Sequence, residues 1–458
     1  MRSPFAERLR AIVDPGSRVR GPDSAGGGQG PGSGARIESA VRIADPGCRT
    51  ASIDYGAIAE TLGGDWVESR GQRYLVVDRS YGSGHRHGRV PLMDAMPDPD
   101  GLWPHLRLLC SPEAPRPGWL LFVDVETTGL AGGAGTYAFL VGCAWFESGS
   151  GPAGRPGAVF RIRQFFLSTY AGERALLDGL AELASSITGV VSFNGKSFDL
   201  PLIETRFLYH RMDTPFAGLP HVDMVHPARR LWRMDEDAGT GSEMGCRLAV
   251  LEQALCGVER EGDVPGFEIP ARYFRFVRSG DPRPLEKVFE HNRLDLISLA
   301  LLVARASQLL DAGPGAARTA REALGLGRLY ERGERFDLAC EAYANAIAFG
   351  PAAGTEAYVA ALRCYALLSR RLRRHAEAAE AWRRILDLRR CPPHISREAT
   401  EALAVHHEHR VRDLQAARLF ALQTLRFEAS VARQHAVRHR LARLDRKLGG
   451  ATTDALQF

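Results

Sequence analysis

Residues 119–130, WLLFVDVETTGL, decide how this sequence is interpreted. Their first five residues are apolar, as expected of a strand that is buried in a sheet. Because side chains two apart in a strand point to the same face, Asp124 and Glu126 are predicted to stand side by side. Two neighbouring carboxylates repel, and burying them costs energy unless a cation is present. Oxygen ligands of this kind suit Mg²⁺ or Mn²⁺.

Two later segments carry further acidic residues. FNGKSFDLPLI (193–203) places Asp199 after a buried strand, at the start of a predicted helix. HNRLDLISLA (291–300) places His291 and Asp295 four residues apart, on one helix face. Three acidic elements in this order and context strengthen the interpretation of Asp124 and Glu126 as cation ligands.

The segment around these motifs, residues 118–312, alternates strand and helix patterns. Strands are predicted at 119–126, 136–147, 158–167 and 188–195, and a fifth is expected at His221 and Asp223. The chain order of three strands, helix, strand and helix predicts an α/β domain with a mixed five-stranded sheet flanked by helices.

The N-terminal flank divides into two parts. Residues 1–49 include a Gly/Ser/Pro-rich stretch at 16–36, whose composition predicts disorder. Residues 50–117 are predicted to form a small, partly β extension, because WVESRGQRYLVVDRSY is typical of a hairpin that turns near Gly71.

The C-terminal segment, residues 318–458, changes character. Strand patterns end, and Ala, Arg and Leu dominate. A spacing typical of tetratricopeptide (TPR) repeats is carried by Leu326, Gly327, Tyr330, Ala339, Tyr343, Ala346 and Pro351. Two weaker copies follow, so an all-α TPR-like domain is predicted; generic helical hairpins are the alternative.

Together the acidic motifs resemble those of the DnaQ-like (DEDD) exonucleases, a branch of the ribonuclease H-like superfamily. DVETTGL is similar to the first family motif and FNGKSFDLPLI to the second. HNRLD, with LAVLEQALCG and DVPGFEIPARYF before it, is most similar to the bacterial YprB-type subgroup, which often carries TPR repeats behind its nuclease-like domain. The resemblance spans about residues 50–430 and implies a ribonuclease H-like fold for 118–312.

One position departs from the family pattern. In the histidine class of these enzymes the histidine stands five residues before the last aspartate, and in the tyrosine class a tyrosine stands four before it. Here Glu290 is five and His291 four residues before Asp295. His291 is the candidate general base, because its ordinary pKa suits proton transfer near neutral pH.

The resemblance implies a metal-dependent nuclease, acting as a 3′→5′ exonuclease on single-stranded DNA or RNA. It also implies two Mg²⁺ or Mn²⁺ ions that clamp the attacking and leaving oxygens, with Asp124, Glu126, Asp199 and Asp295 as the metal ligands. Asp124, Glu126, Asp199, His291 and Asp295 are the candidate catalytic residues. Candidate substrate contacts around them are Thr127, Thr128, Leu130, Asn194, Lys196 and Asn292. The alternative is a catalytically silent nucleic-acid-binding or scaffold protein that keeps the fold.

Three further segments resemble binding motifs. Five residues, not four, separate Gly189 from Gly195-Lys196-Ser197, which argues against a nucleotide-binding P-loop. His85 and His87 favour a polar loop over a metal site. A run of arginines has two interpretations of equal weight, contact with phosphates or a solvated helix face paired with glutamates. Its members are Arg370, Arg371, Arg373, Arg374, Arg383, Arg384, Arg389 and Arg390.

Composition bounds the remaining possibilities. The chain has 458 residues and a net charge of +5, which is compatible with a polyanionic partner. Its eight cysteines include no CxxC pair, so they predict reduced thiols rather than a zinc site. The first residues lack the apolar core of a secretion signal, and no segment is apolar enough to span a bilayer. We therefore expect a cytoplasmic protein without membrane contact. Its expected partners are nucleic acid and a protein that binds the repeats.

Overall fold

The structure is a computed structural model that describes residues 53–96, 106–109, 119–129, 135–150, 156–232, 246–353, 355–427 and 430–454. Its strands are β1 (Asp65–Ser69), β2 (Gln72–Tyr81), β3 (Arg86–His87), β4 (Val90–Pro91), β5 (Trp119–Thr127), β6 (Ala138–Ser150), β7 (Pro156–Phe166), β8 (Ile187–Ser192) and β9 (His221–Asp223). The predicted disorder at 1–49 lies outside the described residues.

Seven of these strands form one mixed sheet in the order β1-β2-β7-β6-β5-β8-β9. The β5–β8 and β8–β9 pairs are parallel and the others antiparallel. All five predicted strands are confirmed. The sheet is larger than predicted because β2 pairs with β7, with Leu75 opposite Phe166, so the hairpin near Gly71 adds two strands to one side.

The helices that precede the C-terminal segment are α1 (Tyr55–Leu62), α2 (Glu173–Leu183), α3 (Asp199–Tyr209), α4 (Val225–Leu231), α5 (Leu248–Cys256), α6 (Ile269–Ser279) and α7 (Arg283–Ala312). Those that follow are α8 (Ala320–Arg332), α9 (Phe336–Ala348), α10 (Thr355–Arg371), α11 (His375–Leu386), α12 (Pro393–His406), α13 (Leu414–Phe427) and α14 (Val431–Asp454). This is a ribonuclease H-like fold followed by an all-helical region, as predicted.

The alternation of side chains in β5 divides the core into two layers. Leu121 and Val123 belong to the cluster on one face of the sheet, whereas Leu120 and Phe122 belong to the cluster on the other. The two-residue period places Asp124 on the same face as Leu120 and Phe122. The long helix α7 packs against β5, so the acidic end of the strand meets this helix.

Helix α7 joins the sheet to the C-terminal helices. It has 30 residues and is therefore about 45 Å long. Leu302 and Leu309 in its second half share one hydrophobic cluster with Leu326 of α8. Trp232 strengthens the same contact by donating its indole N–H to Glu322 at 3.0 Å. The helical region therefore packs directly on the sheet domain.

The first helical pair has the close contact expected of small residues in a repeat. A Cβ added at Gly327 of α8 would lie 2.3 Å from the Tyr343 ring of α9, so only glycine fits there. Such packing is compatible with a TPR-like hairpin.

Across the described ranges the six cysteines form no disulfide bond. Within the same ranges, none of the helices has both the length and the apolar character needed to cross a membrane.

Candidate active site

The end of β5 presents the first two carboxylates. Asp124 and Glu126 are half-buried, while Val125 between them is buried against the opposite face. The pairing of β5 with β6 is regular up to Glu126 and shifts between Glu126 and Thr127. Both acids therefore sit on the last regular residues of the strand, where a rigid sheet fixes their backbone.

Asp199 is delivered by the loop that joins β8 to α3. Asp223 on β9 holds this loop, because its carboxylate accepts the backbone N–H groups of Asn194 at 2.7 Å and Lys196 at 3.1 Å. Asn194 has a positive φ of 68°, a conformation that asparagine tolerates better than most residues. A Cβ added at Gly195 would lie 2.6 Å from the Ser192 hydroxyl and 2.9 Å from the Asp199 carboxylate. Backbone conformation thus explains much of the FNGK sequence.

Helix α7 contributes His291 and Asp295. His291 Nε2 lies 3.6 Å from an Asp295 carboxylate oxygen, as their four-residue spacing predicts. His291 Nδ1 lies 2.7 Å from Asp263, an acid that the sequence analysis did not select. Burial lowers the pKa of His291, but the nearby carboxylates of Asp295 and Asp263 outweigh it and raise that pKa overall. Asp263 therefore fixes the ring and leaves Nε2 directed at the acid cluster.

Asn292 has a different place from the predicted one. It is 0% exposed, so it cannot contact a substrate, and the predicted contact is wrong. Its amide donates to the backbone oxygen of Asp124 at 3.1 Å and to its carboxylate at 2.7 Å. The buried Gln164 in turn donates to the Asn292 amide oxygen at 2.8 Å. Gly142, opposite Asp124 on β6, leaves room for this amide, since an added Cβ would lie 2.2 Å from it.

The four predicted acids act on one another electrostatically. Burial, and then the charges of Asp295 and Asp199, raise the pKa of Asp124 well above its ordinary value. Burial and the same neighbours, together with Asp124, raise the pKa of Glu126. Burial, Asp223 and Asp295 raise the pKa of Asp199 to about 7. Carboxyl groups from three distant parts of the chain therefore meet in one place.

These carboxylates have the chemistry of a divalent-cation site. In the described part of the chain, Asp124, Glu126 and Asp199 form no ion pair, and the Asn292 amide and the nearby His291 offset only part of the charge of Asp124, whose pKa stays raised. A hard divalent cation with oxygen ligands would offset it. The side chains do not yet form a closed cage, because no three His, Cys, Asp or Glu residues among those described are grouped to hold an ion. The chemistry of the donor set, oxygen ligands of like charge, is what fits a cation.

Asp295 differs from the other three acids because it has a cationic partner. Arg260, in the loop after α5, places Nη2 2.6 Å from an Asp295 oxygen and 2.6 Å from Glu252. Although burial lowers it, the charges of Asp295 and Glu252 raise the pKa of Arg260, which is therefore a permanent cation. The sequence analysis missed Arg260 because nothing in its local pattern distinguishes it from a surface arginine.

His87 reaches the same network from the N-terminal part of the chain. It was predicted to lie in a polar loop, but it is 4% exposed on β3, and this prediction is wrong. His87 Nε2 lies 2.7 Å from Glu252 and 3.0 Å from the Ser298 hydroxyl. Because its partner Glu252 lies nearly 170 residues further along the chain, the local sequence could not show this contact.

Among the remaining predicted substrate contacts, the two threonines are engaged in hydrogen bonds within the protein. The Thr127 hydroxyl donates to the Gly129 carbonyl at 3.0 Å, and the Thr128 hydroxyl accepts the Tyr137 N–H at 2.9 Å. Both threonines therefore shape the turn after β5. The Lys196 side chain is exposed and stays a candidate, whereas Leu130 lies outside the described residues.

Part of the basic run is neutralised within the helical region. Arg374 pairs with Asp337 at 3.1 Å and Arg383 with Glu380 at 3.3 Å. Arg384 donates to the Tyr358 hydroxyl at 2.8 Å. These contacts favour a paired helical face over phosphate contact for Arg374 and Arg383, whereas the tyrosine hydroxyl leaves the charge of Arg384 in place.

The fold and the acid cluster define a ribonuclease H-like domain, and the comparisons with known proteins agree. Residues 121–307 match a family described as the RNase_H superfamily. The chain is also similar to the uncharacterized protein YprB of Bacillus subtilis (strain 168), with 28% identity over 379 residues. That alignment covers 81% of this chain and 86% of the relative, so the likeness includes the helical region as well as the sheet.

Proposed function

We propose that this protein is a divalent-cation-dependent nuclease that removes nucleotides from the 3′ end of single-stranded nucleic acid. The observation that carries the proposal is the proximity of four acids: Asp199 and Asp295 raise the pKa of Asp124 and of Glu126, and Asp295 also raises the pKa of Asp199. A cluster of half-buried carboxylates with a histidine beside it suits phosphodiester hydrolysis and has no evident structural use.

Asp124, Glu126 and Asp199 are the residues that would hold Mg²⁺ or Mn²⁺, and Asp295 is the fourth ligand expected for a second ion. A bound divalent ion supplies a lowered water pKa and neutralises charge on the phosphate. The sheet and helix ends position the ligands before any ion arrives, since Asp124 is held by Asn292 and the Asp199 loop by Asp223.

His291 is the proposed general base. Its Nδ1 faces Asp263 at 2.7 Å, which orients the ring and stabilises the charge that it gains on taking a proton. Its Nε2 points to the acid cluster, where the attacking water would stand. This arrangement supports the role of His291 although its position in the motif differs from both known classes.

Lys196 and the helical region are the proposed substrate and partner contacts. The Lys196 side chain is exposed on the loop that ends at Asp199, close enough in sequence to meet a phosphate next to the site. We propose that residues 318–458 form a TPR-like module that holds a protein partner, consistent with the tight Gly327–Tyr343 contact. The separate roles of 118–312 and 318–458 are part of this proposal.

A catalytically silent nucleic-acid-binding or scaffold protein is the second candidate. The pairing of Asp295 with Arg260 favours it, because this acid is already neutralised without a metal. The three acids that form no ion pair among the described residues favour the nuclease instead, since a protein that no longer binds metal has no reason to keep them together.

The test uses the full chain with end-labelled single- and double-stranded DNA and RNA, in Mg²⁺, Mn²⁺ or EDTA. The expected result is a ladder that shortens from the 3′ end of single strands and requires the ion. Asp124→Asn should abolish it, whereas the matched control Asp213→Asn, at an exposed position, should keep it. If wild type cleaves none of the four substrates while still binding them, the silent alternative is correct.

A further inference from the structure

Arg230, in the last turn of α4, is a half-buried cation that lacks an acidic partner. Among the described residues no carboxylate acts on it, and its Nη1 is buried without a hydrogen bond. A buried donor without an acceptor costs free energy, and the cost is larger when the donor carries a charge. Such a group in a folded protein calls for a water or a bound ion that completes its hydrogen bonds.

A second cation, Arg328 of α8, faces the same place. The two helices touch at Gly325, where an added Cβ would lie 2.4 Å from the Arg230 carbonyl oxygen, so only glycine fits. Arg328 stands three residues after Gly325 and therefore on the same face of α8. Burial, and then the charge of Arg328, lower the pKa of Arg230, so the two guanidinium groups are close enough to repel each other.

The nearby acids of α8 are engaged elsewhere. Glu322 accepts the indole N–H of Trp232 at 3.0 Å and lies 4.0 Å from Arg305. Glu331 accepts the Tyr343 hydroxyl at 2.6 Å. A water molecule can complete a hydrogen bond, but it leaves the two facing cations uncompensated. An anion satisfies the buried donor and offsets the repulsion at once, so the junction of α4 and α8 fits an anion.

The position of α4 indicates which anion. This helix follows β9, whose last residue, Asp223, holds the loop that carries Asp199. Arg230 lies only seven residues after Asp223, which corresponds to about 10 Å at the rise of a helix. A strand whose end lies at the acid cluster can therefore place one of its backbone phosphates at Arg230. The nucleic-acid backbone is the ligand that this place in the fold favours.

We propose that Arg230 and Arg328 together hold one backbone phosphate of single-stranded nucleic acid, outside the acid cluster. Their planar guanidinium groups supply the forked donors that match phosphate oxygens. The close packing of α8 on α4 at Gly325 sets the separation of the two side chains. The first helix of the helical region thereby contacts the substrate directly. This proposal rests on the nucleic-acid ligand proposed above but not on its cleavage.

The test measures how tightly the full chain binds a fluorescent single-stranded oligonucleotide, of DNA and of RNA, in EDTA so that no cleavage occurs. Arg230→Gln and Arg328→Gln should each weaken binding by about tenfold, the loss expected for one charge-assisted contact. The double variant should lose less than the product of the two effects, because both side chains hold the same phosphate. It should also reduce the salt dependence, the slope of log affinity against log salt concentration, by about one unit.

Arg446→Gln is the matched control. Arg446 is exposed on α14 in the helical region, and its loss changes the net charge by the same amount. This variant should bind the oligonucleotide as wild type does. Thermal unfolding verifies that each variant is folded. Because Arg328 is exposed, Arg328→Gln keeps the test decisive if Arg230→Gln does not fold.

A second measurement separates a nucleic-acid phosphate from a free one. Thermal unfolding of wild type and Arg230→Gln is compared in inorganic phosphate and in chloride of equal ionic strength, since an anion that binds only the folded protein stabilises it. If phosphate stabilises wild type more than Arg230→Gln while oligonucleotide affinity is the same in both, the ligand is a free anion and the proposal is wrong.

The remaining outcomes distinguish this proposal from the function on which it rests. Wild-type affinity in Arg230→Gln and Arg328→Gln, or an equal loss in Arg446→Gln, would overturn the phosphate site and leave the nuclease proposal standing. Failure of wild type to bind either single strand would remove the nucleic-acid function itself and this inference with it.

Discussion

Substitution of Gly142 by alanine tests whether Asn292 holds Asp124 in its working position. The added Cβ would lie 2.2 Å from the Asn292 amide oxygen and 2.8 Å from its nitrogen. Because carbon and oxygen in contact stand about 3.2 Å or more apart, the amide must move by about 1 Å. The buried hydrogen bonds to Asp124 and Gln164 then break.

The expected effect has two parts. Loss of one charge-assisted and one neutral buried hydrogen bond costs about 2–4 kcal/mol of unfolding free energy. If Asp124, the proposed metal ligand that Asn292 holds, shifts by about 1 Å, the turnover rate should fall by roughly 100-fold. Urea unfolding in EDTA measures the first part, and initial rates on a labelled oligonucleotide with Mn²⁺ measure the second.

Gly327→Ala is the matched control, because its Cβ would lie 2.3 Å from the Tyr343 ring in the helical region. It should lose stability to a similar extent while keeping the rate per folded molecule. A Gly142→Ala protein with wild-type turnover would refute the role given to Asn292. Equal loss of turnover in both variants would refute it too, since the effect would then follow stability alone.

Three further predictions concern single charged groups. Glu408→Gln should lower the unfolding free energy by roughly 1–3 kcal/mol at pH 7: burial raises the pKa of this carboxyl, but hydrogen bonds from Arg443 and Lys447 outweigh it and lower the pKa from 4.5 to about 2, and solvent screens part of the gain. The stabilisation is complete above pH 4.5 and disappears as the pH falls through about 2, so urea unfolding at pH 3 should show about half the difference; an equal difference at both pH values would contradict this. Arg206→Gln should cost about 3–5 kcal/mol, since it leaves the buried Glu173 without its guanidinium partner and with only His210 as a basic neighbour, and a further Glu173→Gln change should restore part of the loss in thermal unfolding. Asp263→Asn removes a charge that raises the pKa of His291, so the pH at which turnover is half-maximal should fall, and a pH–rate profile with an unmoved midpoint would argue against His291 as the base.

The strands and the acidic motifs were predictable because they are local. Five apolar residues before Asp124 indicate a buried strand, and the two-residue period places Glu126 beside it. Helix α3 begins at Asp199 as predicted. That the acids meet in space followed only from the family resemblance, since spacing along the chain cannot show it.

The unpredicted features depend on partners that lie far apart in sequence. The hairpin near Gly71 was predicted, but its pairing with β7 through Leu75 was not, because periodicity identifies a strand and not its neighbour. Asp263 was quoted within a motif and given no role. Asn292 was named as a substrate contact, yet it is buried and its amide donates to Asp124, a partner 168 residues earlier in the chain.

The most direct test of the central claim, that a cation held by these carboxylates contacts the phosphate being cleaved, uses a substrate with one non-bridging phosphate oxygen replaced by sulfur. Sulfur is a soft ligand that Mg²⁺ binds poorly and that Mn²⁺ tolerates better. We predict that one of the two sulfur isomers is cleaved slowly in Mg²⁺ and regains most of its rate in Mn²⁺, while the unmodified substrate is cleaved in both. Equal rates for both isomers in both ions, or cleavage that persists in EDTA, would contradict a metal-assisted reaction at Asp124, Glu126 and Asp199.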